Sequence, residues 1–150
     1  MPRSTPGPLP RSFPALLSRA LALVARDAPR CAAALADRVA GAAIAITIDG
    51  ELAIVRATAR GIVAEREPAA TAAAIEVTAS SRDVLALLSG GDELYPAVRA
   101  NRVRVRAARQ HAARLFDVVR LLIEGCARSP DGPALLAEFR DLATEVAERN

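Results

Sequence analysis

The stretch "AVRANRVRVRAARQHAARL", residues 97 to 115, places five arginines in the eleven positions from Arg99 to Arg109, and three of them alternate with Val103 and Val105. Guanidinium groups at that density suit phosphate, an anionic lipid headgroup or an acidic protein. At a period of two, Arg102, Arg104 and Arg106 fall on one strand face and Val103 and Val105 on the other. The strand carries no aromatic residue for base stacking, which argues against nucleic acid as a partner. The arginines are expected to be solvated or paired with sheet glutamates such as Glu65, Glu67 or Glu76. An anionic membrane surface and an acidic protein partner are the alternatives.

The remaining reactive groups are sparse. His111 is the sole histidine, and beside Gln110 it is expected on the exposed shoulder of a helix that begins near Arg109. General acid–base or nucleophilic catalysis needs a base oriented by other polar groups, and no Ser-His-acid set can be assembled. Gly90-Gly91 reads as a helix stop rather than a phosphate cradle. Cys31 and Cys126, the only two cysteines, have no metal or redox spacing. Each lies among Ala and Leu and is expected to pack as an inert thiol, a disulfide being the alternative. The sequence therefore predicts no catalysis, no cofactor and no metal.

The elements that position these groups must come from a chain of 150 residues, 52% hydrophobic and 25% charged, the balance of one soluble globular domain. It has no Trp, one Tyr and three Phe, so Leu, Val and Ile must build the core. All 20 basic residues are arginine, a bias that with the alanine excess reads as the drift of a GC-rich genome. The net charge of +3 is modest beside the basic footprint of a phosphate binder. Arg19 interrupts the first apolar run, which argues against a signal peptide, and no stretch reaches the ~18 apolar residues of a membrane span. A cytoplasmic protein is expected, with a Pro-rich disordered leader over residues 1–10 and a single domain over 11–150.

Along that domain the periodicity changes twice. Phe13, Leu16, Leu17, Ala20, Leu21 and Val24 recur at helical spacing, and this first helix is expected to dock on the core; a mobile lid or a membrane-surface helix are the alternatives. A short helix through "CAAALADRV" follows. "AAIAITIDGELAIVRATA" alternates at period two around Asp49-Gly50, a type I′ signal for a hairpin over residues 42–59. "IVAERE" and "AAAIEVTAS" supply two more strands. Ser80 caps a helix with Asp83 three residues on, Pro96 opens another short helix that stops at Asn101, and "RVRVRA" is a fifth strand. Two helices end the chain, the first with the stripe Ala112, Leu115, Phe116, Val119, Leu122, Ile123 and Cys126, the second with Leu135, Phe139, Leu142 and Val146. Strands in a block bracketed by helices predict an α+β layer fold.

This order, with Asp49-Gly50 at the hairpin, "AAAIEVTASSRDVLALLSGG" in the middle and "ANRVRVRAARQHAARL" near the end, resembles the sterol carrier protein-2 family over about residues 37–126. Two departures stand out: Asn101 replaces a common Gly before the fifth strand, and Arg106, Ala107 and Ala108 replace its usual Glu-Gly-Asp ending. The resemblance implies a five-stranded sheet with helices packed on one face, enclosing an apolar tunnel between the sheet and the helix of residues 109–126. It further implies a long apolar, lipid-like ligand: fatty acyl, sterol-like or polyprenyl. Tunnel walls would then come from Ile44 and Ile46, from Leu85 and Leu88, and from Val103 and Val105. Leu115, Phe116, Val119, Leu122 and Ile123 would complete them. Some bacterial members are accessory factors of quinone biosynthesis, so a closed-core module docking an enzyme through Arg102, Arg104 and Arg106 is the second expectation. Oligomeric state is open at this level.

Overall fold

A computed structural model describes residues 11–66, 73–91 and 93–150. Two helices open it, α1 (Phe13–Asp27) and α2 (Pro29–Val39), before strands β1 (Ile44–Ile48), β2 (Glu51–Thr58), β3 (Gly61–Glu65) and β4 (Ile75–Ala79). Helices α3 (Ser81–Leu88) and α4 (Leu94–Arg99), strand β5 (Arg104–Ala107) and helices α5 (Arg109–Ala127) and α6 (Gly132–Arg149) complete it. The expected leader and Glu67 lie outside the described residues.

The hairpin forms where Asp49-Gly50 directs it, with both residues at positive φ (49° and 83°) as a type I′ turn requires. Its carboxylates do a second job that alternation alone does not reveal. Asp49 Oδ1 accepts from the Ser81 N–H at 3.1 Å and Glu51 Oε2 from the Phe13 N–H at 3.2 Å, so the hairpin satisfies the first turns of α3 and α1. Ser80 and Ser12 cap the same two helices through their hydroxyls.

The strands form one sheet in the order β3-β2-β1-β4-β5, with β1 and β4 parallel at its centre and the other pairs antiparallel. Register gathers Ile44, Ile46 and Ile48 on one face with Val55, Ala64, Ile75, Val77 and Val105. These residues join the hydrophobic core or pack against it. α1 and α2 cover the β2–β3 side of that face and α5 the β4–β5 side. The opposite face carries Glu76, Thr78, Arg104 and Arg106, all exposed.

Gly125 sets the spacing of α5 on α1: a Cβ there would stand 2.7 and 2.9 Å from the two methyls of Val24, itself 0% exposed. On its outer side α1 is tied to α6 by a charged row. Arg11 meets Glu145 at 3.4 Å, Arg19 binds Glu138 through both nitrogens, and Arg26 reaches Asp131. Phe13 stacks edge-on against Phe139 at 6.5 Å between centroids. The first helix is thus docked structure, as its apolar stripe predicts.

The row ends in a pH-sensitive corner. Arg26 and then the Ser129 hydroxyl, which donates to Asp27, hold the Asp27 carboxyl at about 2, below its ordinary value. Because the folded state binds the proton less readily than the unfolded chain, its stabilisation is complete above about pH 4 and is lost as pH falls toward 2. Amide exchange in α6 is therefore expected to rise over that window, and Asp27→Asn is expected to weaken the dependence.

Two expectations about the arginine stretch need correction. β5 begins at Arg104, not Arg102, because Asn101 takes φ 60° at the end of α4 and the Arg102 and Val103 N–H groups both donate to the Ala97 carbonyl. Arg102 therefore does not share a strand face with Arg104 and Arg106. Glu65 cannot serve these arginines either: β3 and β5 lie at opposite sheet edges, and Glu65 pairs with Arg56 at 2.6 Å. Glu76 does oppose Arg106 in the β4–β5 register, with a loose ion pair at 3.8 Å.

Candidate functional site

Among the described residues, the helix side of the sheet holds a smaller enclosed space and a larger open one. The smaller, about 60 Å³, sits between the sheet and α5 and is lined wholly by hydrocarbon, with Ile44, Ile46, Val55, Leu115, Val118, Val119 and Leu122 among its walls. It lies where the tunnel was expected but is far below the ~300 Å³ at which ligand pockets begin. The larger, about 530 Å³, is an open groove between α1, α2 and β3. Leu21, Leu35 and Ile62 line both, so the groove and the inner void meet at these three side chains.

Alanine makes the groove. Ala22 and Ala25 on α1 face Ala32, Ala33 and Ala36 on α2, and Ile62, Val63 and Ala64 form its floor. Short side chains at spacings of three and four leave a trough that Leu or Val would fill. Arg60 and Gly61 stand at its rim. There the Thr58 hydroxyl donates to the Gly61 carbonyl at 2.9 Å and accepts from the Arg60 N–H at 3.2 Å, fixing the β2–β3 turn. Ser18, the other polar liner, donates its hydroxyl to the Ala64 carbonyl at 3.2 Å and holds α1 against edge strand β3.

Of the residues expected to line a tunnel, Ile44, Ile46, Leu115, Val119 and Leu122 meet at the inner void. Leu85, Leu88, Val103, Val105, Phe116 and Ile123 line neither space. Leu88 is 37% exposed at the end of α3, Val103 is 2% exposed beneath α4, and Phe116 leans on Tyr95 at 6.2 Å between centroids. Leu85 and Val105 pack against the core from the side. The groove residues of α1 and α2 were missed. The signal for them was present in the paired alanine spacing, but it marks a groove only once the two helices are known to lie side by side.

His111 is half-buried rather than on an exposed shoulder, and its Nδ1 is enclosed without a hydrogen-bond partner among the described residues. It falls on the inward stripe because Leu115, four residues on, is buried. Cys31 and Cys126 are free thiols, and burial pushes the Cys126 thiol above its ordinary pKa, away from reactivity. Among the described residues no three His, Cys, Asp or Glu side chains gather as a metal site. No helix among them is long and apolar enough to cross a membrane.

A single sheet with helices on one face and an apolar space between the layers defines a class of small domains built around a hydrocarbon interior. The chain has the sterol carrier protein-2 fold. It is similar to the solved structure of a "UbiJ-SCP2 Ubiquinone synthesis protein", at TM-score 0.58 and 20% identity over 77% of this chain and 96% of that one. It is also similar to the sterol carrier protein domain 2 of Helicoverpa armigera, at TM-score 0.55 and 15% identity over 73% and 89% of the two chains. No family model and no curated protein matches the sequence.

Proposed function

We propose that this protein binds and carries a long apolar ligand, a fatty acyl, sterol-like or polyprenyl lipid, without catalysing a reaction on it. One observation carries the reading: an apolar groove of about 530 Å³ shares the side chains of Leu21, Leu35 and Ile62 with a hydrocarbon-lined void beneath α5. The groove volume falls within the ~300–1,000 Å³ of small-molecule sites. Binding draws on apolar surface removed from water, at ~25 cal/mol per Å² before association costs. The ligand enters between α1, α2 and β3 rather than along the α5 wall. Organic extraction of the purified protein followed by mass spectrometry is expected to release a retained lipid; protein that is lipid-free and takes up none from donor vesicles overturns the reading.

A second reading, an accessory module that docks an acidic biosynthetic enzyme, is favoured by the exposed β4–β5 side of the outer sheet face, which carries Arg104 and Arg106. The name of the first structural neighbour, a ubiquinone synthesis protein, gives it a context. Reversing Arg102, Arg104 and Arg106 to Glu separates the two. Under lipid carriage alone, retained lipid and any enzyme association are unchanged; under docking, the association is lost while the lipid stays.

A further inference from the structure

Resting on the lipid-binding reading, we propose that the ligand is a single-chain amphiphile with an anionic head, a carboxylate or phosphate, held by Arg60 at the groove rim. Among the described residues, Arg60 is the one charged side chain lining the groove, and none lining the void beyond offers a polar group to receive a head. A tail that fills the hydrocarbon end therefore leaves its polar end at the mouth, beside the guanidinium.

The neighbouring charges are committed elsewhere. On α1, Arg19 is bound to Glu138 and Arg26 to Asp27 and Asp131; on α2, Arg38 meets Asp117 at 3.3 Å. Arg30 and Asp37 of α2 do not line the groove. Arg60 has no ion pair among the described residues, while its backbone is pinned by Thr58 and Gly61 takes φ 119° beside it. The ordered turn thus presents a free guanidinium at an apolar mouth. Its planar fork accepts two oxygens of either a carboxylate or a phosphate. Because Arg60 is exposed, the contact is screened by solvent and salt, and its contribution is about fivefold in affinity.

The test compares hexadecanoic acid, hexadecyl phosphate and hexadecan-1-ol on the full chain, above the pKa of the carboxylic acid, with Arg60→Gln as the variant. At least one anion is expected to bind about fivefold more tightly than the alcohol, and the one with the larger preference identifies the head. That preference should vanish in Arg60→Gln and shrink with added salt, while alcohol binding is unchanged. If the alcohol binds as tightly as both anions, or if the substitution weakens all three equally, the head-group assignment fails and lipid binding stands. If none of the three binds, the lipid-binding reading falls with it.

Discussion

Truncating Leu35 to Ala is expected to lower the unfolding free energy by about 2–5 kcal/mol, read as a shift of the urea midpoint with unchanged slope. Leu35 is 1% exposed on α2 and lines both the groove and the inner void. Its removal costs the transfer energy of the lost methyl groups and adds a cavity term, because the sheet and α5 beneath it cannot collapse onto one missing side chain. The same truncation removes part of the wall that the two spaces share. A saturating long-chain ligand should therefore recover part of the loss, since a ligand that binds only the folded state stabilises it by mass action. A midpoint shift worth less than about 1 kcal/mol would contradict the packing of α2 described above.

Ala36→Trp is expected to do the reverse, abolishing uptake while sparing the fold. Ala36 is half-buried on the groove side of α2, and an indole there occupies space now lined by alanine. Affinity for a sixteen-carbon fatty acid should fall at least about tenfold, equivalent to some 1.4 kcal/mol. The groove is open, so the ring has room to lie in it and stability should change by less than about 1 kcal/mol. Equilibrium titration and thermal melting of the same preparation separate the two effects. Unchanged affinity would mean that the ligand does not use this groove.

The sequence carries the fold more clearly than the site, and particular residues show why. Asp49-Gly50 specifies its turn through backbone conformation alone, and Ser80 with Asp83 specifies a helix start through hydrogen bonds three residues apart. Such local chemistry is readable without knowing the neighbours. The interior stripe of α5 is also periodic, and Leu115, Val119 and Leu122 do face the void. Periodicity could not separate a packed wall from an open one, because that depends on volumes contributed by α1 and α2. Ala43, Ala45, Ala53, Ala73 and Ala112 line neither space; the groove is opened by Ala22, Ala25, Ala32, Ala33 and Ala36. Likewise the reach of Glu65 depended on strand order, and β3 sits at the edge farthest from β5.

The absence of Trp from the sequence makes direct localisation of a ligand feasible. Ala22 lines the groove and is exposed on α1, whereas Thr78 is exposed on the opposite sheet face. A single Trp at either position is a unique fluorophore, and bromine quenches it only at close range. With a brominated stearic acid, Ala22→Trp is expected to be quenched saturably and Thr78→Trp to be unaffected. No saturable quenching at Ala22→Trp, or equal quenching at both positions, would contradict a lipid held between α1, α2 and β3.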